Sequence, residues 1–204
     1  MALRADEPAD GRLRRSMSSQ RRIVQAMLEL VAEGNIAPSA DDVSERAGVG
    51  RRSVFRHFSD MDSLYREMQA ILEAQFATIA AQPFKTTHWR DQVLELIERR
   101  AYAFERMAPY LRAAIVHRHY SAILREGHAR FVAVLRSLLV FRLPGDLARD
   151  QVLVDAIDLM ISFEAWHRLR EEQHLSPAEA RQVVSLAIKA LLDQRERSRG
   201  ASKS

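Results

Sequence analysis

The 204-residue chain contains no cysteine, which excludes disulfides, thiolate metal sites and redox sensing through a thiol. Seven glycines and six prolines leave little material for active-site loops. No glycine-rich phosphate loop, nucleophile elbow or HExxH sequence occurs, so no catalytic residue and no cofactor is expected. No segment alternates apolar and polar residues over a useful length, which argues against a sheet. No internal repeat of roughly 20 to 50 residues is visible. Nor does any stretch approach the roughly 18 uninterrupted apolar residues of a membrane helix. The N-terminus carries no apolar run of signal-peptide length, and the expectation is a cytoplasmic protein with no membrane partner.

What the chain has is helical periodicity and a local excess of arginine. Its net charge is only +4, yet residues 11–58 hold nine arginines against five acids. The length and the 47% hydrophobic content allow one sizeable core or two small ones. From about Ser19 to Glu33, Ile23, Val24, Met27, Leu28 and Val31 recur at three- and four-residue intervals, as on an amphipathic helix. Gly34 and Asn35 stop it, and Pro38 keeps the chain extended. Arg21 and Arg22 at its start either reach a DNA backbone or face water.

The stretch SADDVSERAGVGRRSVFRHF, residues 39–58, organises the rest. Ser39 and Asp42 form a capping box that starts one helix, with Val43 and Ala47 on its apolar face. Gly48 closes that helix in the left-handed conformation, and a second helix begins at Gly50 or Arg51 and ends near Phe58. Val54 and Phe58 pack inward, leaving Arg51, Arg52, Ser53, Arg56 and His57 outward with no acid among them. Such a helix fits the major groove of double-stranded DNA, where an arginine fork bonds both acceptors of guanine for about 1–3 kcal/mol of discrimination. Arg51 and Arg52 are placed to read bases; Arg56 and His57 are placed to hold phosphates. Arg12, Arg14 and Arg15 form a basic arm before the first helix, either lying along DNA or acting as an ordinary tail.

The segment from Ile23 to Tyr65 resembles the N-terminal domain of the TetR family of transcriptional regulators. The resemblance rests on Ala47-Gly48-Val49 and on Val54-Phe55-Arg56-His57-Phe58. It implies DNA contacts from Ser39, Gly50, Arg51, Arg52, Ser53, Phe55, Arg56 and His57, with Arg21 and Arg22 beside them. The lysine that the family often places early in the next helix is Met61 here. The implied architecture is all-α: a disordered basic arm over residues 1–17, a helix-turn-helix domain over 18–63, a ligand-binding and dimerisation domain over 64–197, and a disordered tail over 198–204.

Downstream, Ser59 and Asp62 repeat the capping pattern and start a long helix to about Ala81, a candidate lever between the DNA-reading unit and the rest. A loop over 82–87 follows, then helical patterns over about 88–107, 109–119, 121–141, 147–172 and 177–196. Pro109, Gly127, Pro144-Gly145 and Ser176-Pro177 punctuate them. Leu153, Ile157, Met160, Ile161 and Trp166, with Val183, Val184, Ala187, Ile188, Leu191 and Leu192, give the last two patterns broad apolar faces suited to a homodimer. The middle region holds Trp89, Tyr102, Phe104, Met107, Tyr110, His117, Tyr120, Phe131 and Phe163. The resemblance implies that such a region encloses an unknown small-molecule effector. Each of these side chains also reads as ordinary core.

The histidines do not make a metal site. Glu164-x-x-His167 and Glu171-x-x-His174 have the spacing of di-iron bundles, but both lie on one helical pattern two turns apart. His117 and His119 point about 200° apart around a helix axis. The reading is a DNA-binding transcriptional regulator, a ligand-responsive repressor acting on a palindrome as a homodimer. The alternative is a sequence-tolerant architectural DNA-binding protein without a ligand.

Overall fold

Short polar residues and glycines set most of the helix ends. In the computed structural model, which describes residues 7–201 and their side chains over 13–198, ten α-helices and no strand occur among the described residues. The chain forms two compact units. One runs up to Glu73 and includes Arg112–Gly127; the other comprises Ala74–Leu111 and the chain from His128 onward.

The first unit holds α1 (Glu7–Ala32), α2 (Ala40–Ala47), α3 (Arg51–His57) and the first turns of α4 (Met61–Ala80). Ile23, Met27 and Val31 of α1, Val43 of α2, Val54 of α3 and Leu64 of α4 are sealed from solvent and form its core. The end of α5 (Trp89–His117) and the start of α6 (Ala122–Val140) complete it. His117 Nε2 lies 2.9 Å from Tyr65 Oη and 2.7 Å from the Ile36 carbonyl. Ser121 Oγ donates to Asp62 at 2.9 Å. Burial, and then the charge of Asp62, pushes the Tyr65 phenol up to about 12.

The second unit contains the rest of α4, α5 and α6, followed by α7 (Gly145–Ala148), α8 (Gln151–Met160), α9 (Phe163–His167), a π-helical turn (Arg168–Glu172) and α10 (Pro177–Ala201). Its core joins Val93, Ile97 and Phe104 of α5, Leu139 of α6, Val154 and Ile157 of α8, and Val184, Ile188 and Leu192 of α10. Phe163 meets Phe104 edge to face, with centroids 5.5 Å apart.

Several boundaries differ from the sequence expectation. The backbone is helical from Glu7, so the described part of the expected irregular arm belongs to α1; Pro8 falls in the first turn, where its missing N–H costs nothing. Likewise α10 runs on to Ala201, past the expected start of the tail. Pro109 lies inside α5 and Gly127 inside α6. Phe104 and Met107 are buried on one side of Pro109 and Ala113 on the other, which holds both flanks in place. At Gly127 a Cβ would meet the end of the Gln69 side chain, and the helix runs on through this glycine rather than stopping at it.

The single helix expected over 147–172 is broken twice. Asp150 caps α8 through the Leu153 amide and Ser162 caps α9 through the Ala165 amide, each at 3.1 Å. Short polar side chains within an apolar pattern offered the backbone these alternatives. The cap of α4 is Asp60, whose Oδ1 accepts from the Ser63 amide at 2.7 Å, and not Ser59. The first unit takes in α4 as far as Glu73, where Leu64, Tyr65, Met68 and Leu72 are buried.

Candidate nucleic-acid interface

The capping box at Ser39 is fully formed. Its Oγ accepts from the Asp42 amide at 3.1 Å and donates to Asp42 Oδ2 at 2.8 Å, while its own amide donates to the same carboxylate at 2.8 Å. These bonds hold the Asp42 carboxyl below the usual range. The Ser39 hydroxyl is therefore spent on starting α2, and the expected DNA contact from it has no free donor.

Gly48 takes φ +59°, and the amides of Gly48 and Val49 close on the Glu45 and Ser44 carbonyls at 3.1 and 3.0 Å. Arg22 donates to the Gly48 carbonyl at 2.9 Å, tying α1 to this turn. Arg46 completes the anchorage with two bonds to Glu33, at 2.8 and 2.6 Å. Arg22 thus clamps this turn through one Nη while its side chain stays exposed. Arg21 beside it is exposed.

α3 starts from an extended Gly50 and carries no acid. Val54 and Phe58 are buried, while Arg51, Arg52, Phe55 and Arg56 are exposed and Ser53 is half-buried. Arg51 pairs with Asp41 at 3.1 Å and lies 5.8 Å from the Phe55 centroid. Arg56 donates to Ser53 Oγ at 3.2 Å. Phe55, 43% exposed, is the apolar member of this face.

His57 departs from expectation: its Nε2 is buried without a partner, and burial, then the nearby Arg56 charge, pulls its pKa down. The ring as a whole is half-buried, so a phosphate would not meet it through Nε2 in this rotamer. Position 57 lies one turn after Ser53 and three residues after Val54, at the edge of the buried stripe, which sequence spacing does not resolve.

The residues expected to line an effector pocket are spread over both units. Phe104 and Met107 are buried in the second core, Phe163 packs on Phe104, and Phe131 packs on Phe76 at 5.1 Å. Tyr102 is 55% exposed, under the guanidinium of Arg106. His117 and Tyr120 belong to the first unit, with Tyr120 at 89% exposure. Trp89 and Tyr110 are half-buried. Aromatic content does not say which face of a helix turns inward; Tyr102 and Phe104, two apart, point to opposite sides.

A small cavity of about 10 Å³ in the second unit is lined instead by Phe76, Phe84, Leu96 and three arginines, Arg99, Arg100 and Arg142. Sequence reasoning missed these arginines. The signal was Arg100, which sits on the apolar stripe of α5 between Val93, Leu96, Ile97 and Phe104.

The apolar residues of the last two helical patterns divide between the core and the surface. Leu153, Ile157, Ile161, Trp166, Val184, Ile188 and Leu192 are all buried within the chain. The exposed apolar residues of α8 and α10 are Val152, Leu159, Val183 and Leu186.

Residues 23–68 match the family model described as "Bacterial regulatory proteins, tetR family". The fold is similar to that of a transcriptional regulator from Rhodococcus sp. Rha1, with 18% identity, 86% of this chain and 96% of that chain covered, and a TM-score of 0.71. It is also similar to a structure described as a putative TetR-family transcriptional regulator from Mesorhizobium loti MAFF303099, with 18% identity, 88% and 97% covered, and a TM-score of 0.58. No curated protein matches in sequence.

Proposed function

We propose that this chain, which carries the DNA-binding domain of the TetR family of bacterial regulatory proteins, is a ligand-responsive repressor that grips a palindromic operator as a homodimer. The observation that carries the reading is α3: a short helix with three exposed arginines, no acid, and a buried side locked to α1 and α2 by a glycine turn. Arg51 and Arg52 read base edges and Arg56 holds phosphate. Ser53 and Phe55 border the contact.

Two such helices about 34–36 Å apart would match half-sites one turn apart, and a dimer supplies the second one. Support for the dimer comes from Val152, Leu159, Val183 and Leu186, which leave apolar area uncovered on α8 and α10. Support for ligand response comes from chain continuity: α4, α5 and α6 each begin in one unit and end in the other. A shift along any of them is a route by which effector binding weakens DNA affinity. A coupling of about 1.4 kcal/mol changes affinity tenfold.

The test is selection of bound sequences from random DNA at one fixed physiological salt concentration, followed by the same measurement on Arg51→Ala and Arg52→Ala. A two-fold symmetric consensus is expected, with each substitution weakening operator binding by about 1–3 kcal/mol and sparing non-specific binding. Equal loss on all DNA, or no consensus with a steep salt slope, would favour a sequence-tolerant architectural protein.

A further inference from the structure

The cavity in the second unit has an electrostatic imbalance. Arg142, just after α6, places its guanidinium 4.3 Å from the Phe84 centroid and 4.9 Å from that of Phe141, and its buried Nε bonds to nothing among the described residues. Arg100 is 3% exposed. Its Nη atoms donate to the Ile161 and Leu135 carbonyls at 3.0 and 2.5 Å, but its Nε is likewise buried without a partner. Both side chains line the same cavity, whose other walls include Phe76, Leu96 and Leu138.

The nearby carboxylates are already shared out. Glu95 bonds Arg99 at 2.7 Å. Asp158 lies 3.7 Å from Arg100 and 3.6 Å from Arg136, and Arg136 also holds Asp155 at 2.6 Å. Four guanidinium groups thus face three carboxylates, and Arg142 has none within ion-pair distance among the described residues. A buried N–H of a cation without an acceptor is costly, and a carboxylate would satisfy it with a short charge-assisted bond. Burial also pushes the Arg100 guanidinium down to about 10, a desolvation cost on its charge that an added anion would offset.

Phe84 closes this site. Its ring centroid lies 3.9 Å from the Arg99 guanidinium and 4.3 Å from that of Arg142, on the segment between α4 and α5. The enclosed volume of about 10 Å³ accommodates no more than one water. An apolar group entering beside the guanidinium pair must therefore take the place of the Phe84 ring.

We propose that this cavity is the head-group subsite of an effector that is an amphipathic monocarboxylic acid, its carboxylate bonded to the Nε groups of Arg142 and Arg100 and its aliphatic tail replacing Phe84 against Phe76, Leu96 and Leu138. This assignment rests on the reading of the second unit as the ligand-responsive part. The cation supplies the choice of acid over alcohol or amine, and the apolar wall supplies the preference for a tail.

The test titrates the full chain with saturated monocarboxylates from acetate to dodecanoate, and with octanol and octylamine, by calorimetry. Octanoate or a neighbouring acid binds, and octanol and octylamine bind at least about tenfold more weakly. Arg142→Gln, with helical content and melting checked, loses about tenfold in acid affinity. Phe84→Ala gains affinity, because the plug is gone. Absence of binding by the whole acid series to both the wild type and Phe84→Ala would overturn the proposal. So would equal binding of octanol, or full affinity in a folded Arg142→Gln. Effect on operator DNA is read separately: an acid that binds this site without loosening DNA leaves the subsite standing and defeats the ligand-responsive reading beneath it.

Discussion

Asp41 sits 3.1 Å from the Arg51 guanidinium on a solvent-exposed surface, where such pairs contribute little to stability. Its cost falls on binding, since a phosphate-rich partner must compete with a carboxylate and is repelled by it. Asp41→Asn is therefore expected to tighten DNA binding several-fold at low salt while leaving the melting temperature nearly unchanged, which filter binding and a thermal melt would check. His57 makes a second prediction. Its pKa is below the ordinary 6.5 when folded, because burial disfavours the charged ring, so the folded state binds the proton less readily than the unfolded one. Stability is then fully present above about 6.5 and is lost as pH falls through the lower folded value. In His57→Leu this share of the acid decline should vanish; identical denaturation midpoints across that pH range in both proteins would contradict it.

At the scale of elements, the pair α2 and α3 is held by its caps and its turn. Ser39→Ala removes the acceptor for the Asp42 amide and should cost about 1 kcal/mol in urea unfolding. Gly48→Ala forces a side chain into φ +59°, and about 1–2 kcal/mol is expected although nothing crowds the position. A neutral outcome for Gly48→Ala would mean that the turn relaxes out of the left-handed region. These features were legible beforehand: the capping box, the glycine stop and the buried pair Val54 and Phe58 follow from residue types at fixed local spacing. The breaks at Asp150 and Ser162 were not, because the surrounding apolar pattern continues straight through them. Pro109 misled in the other direction, since packing on its two sides outweighed the loss of one helical hydrogen bond.

For the whole molecule, the assembly prediction concerns Leu159 and Leu186, which are 65% and 72% exposed. Leu159→Asp with Leu186→Asp should shift sedimentation from dimer to monomer and weaken operator binding, while helical content stays constant. A variant that is still dimeric would place the interface elsewhere. The sequence alone determined the all-helical class, the two-helix segment over residues 39–58 and its outward arginines, because each depends on contacts between residues a few positions apart. Tertiary structure decided what lies far apart in the chain: that Arg22 clamps the Gly48 turn, that the His57 Nε2 is buried, that the arginines at 100 and 142 share one cavity, and which leucines stay exposed. Helical periodicity marks an apolar stripe only to within a residue or so at its edges, and only packing of distant segments fixes which edge is covered.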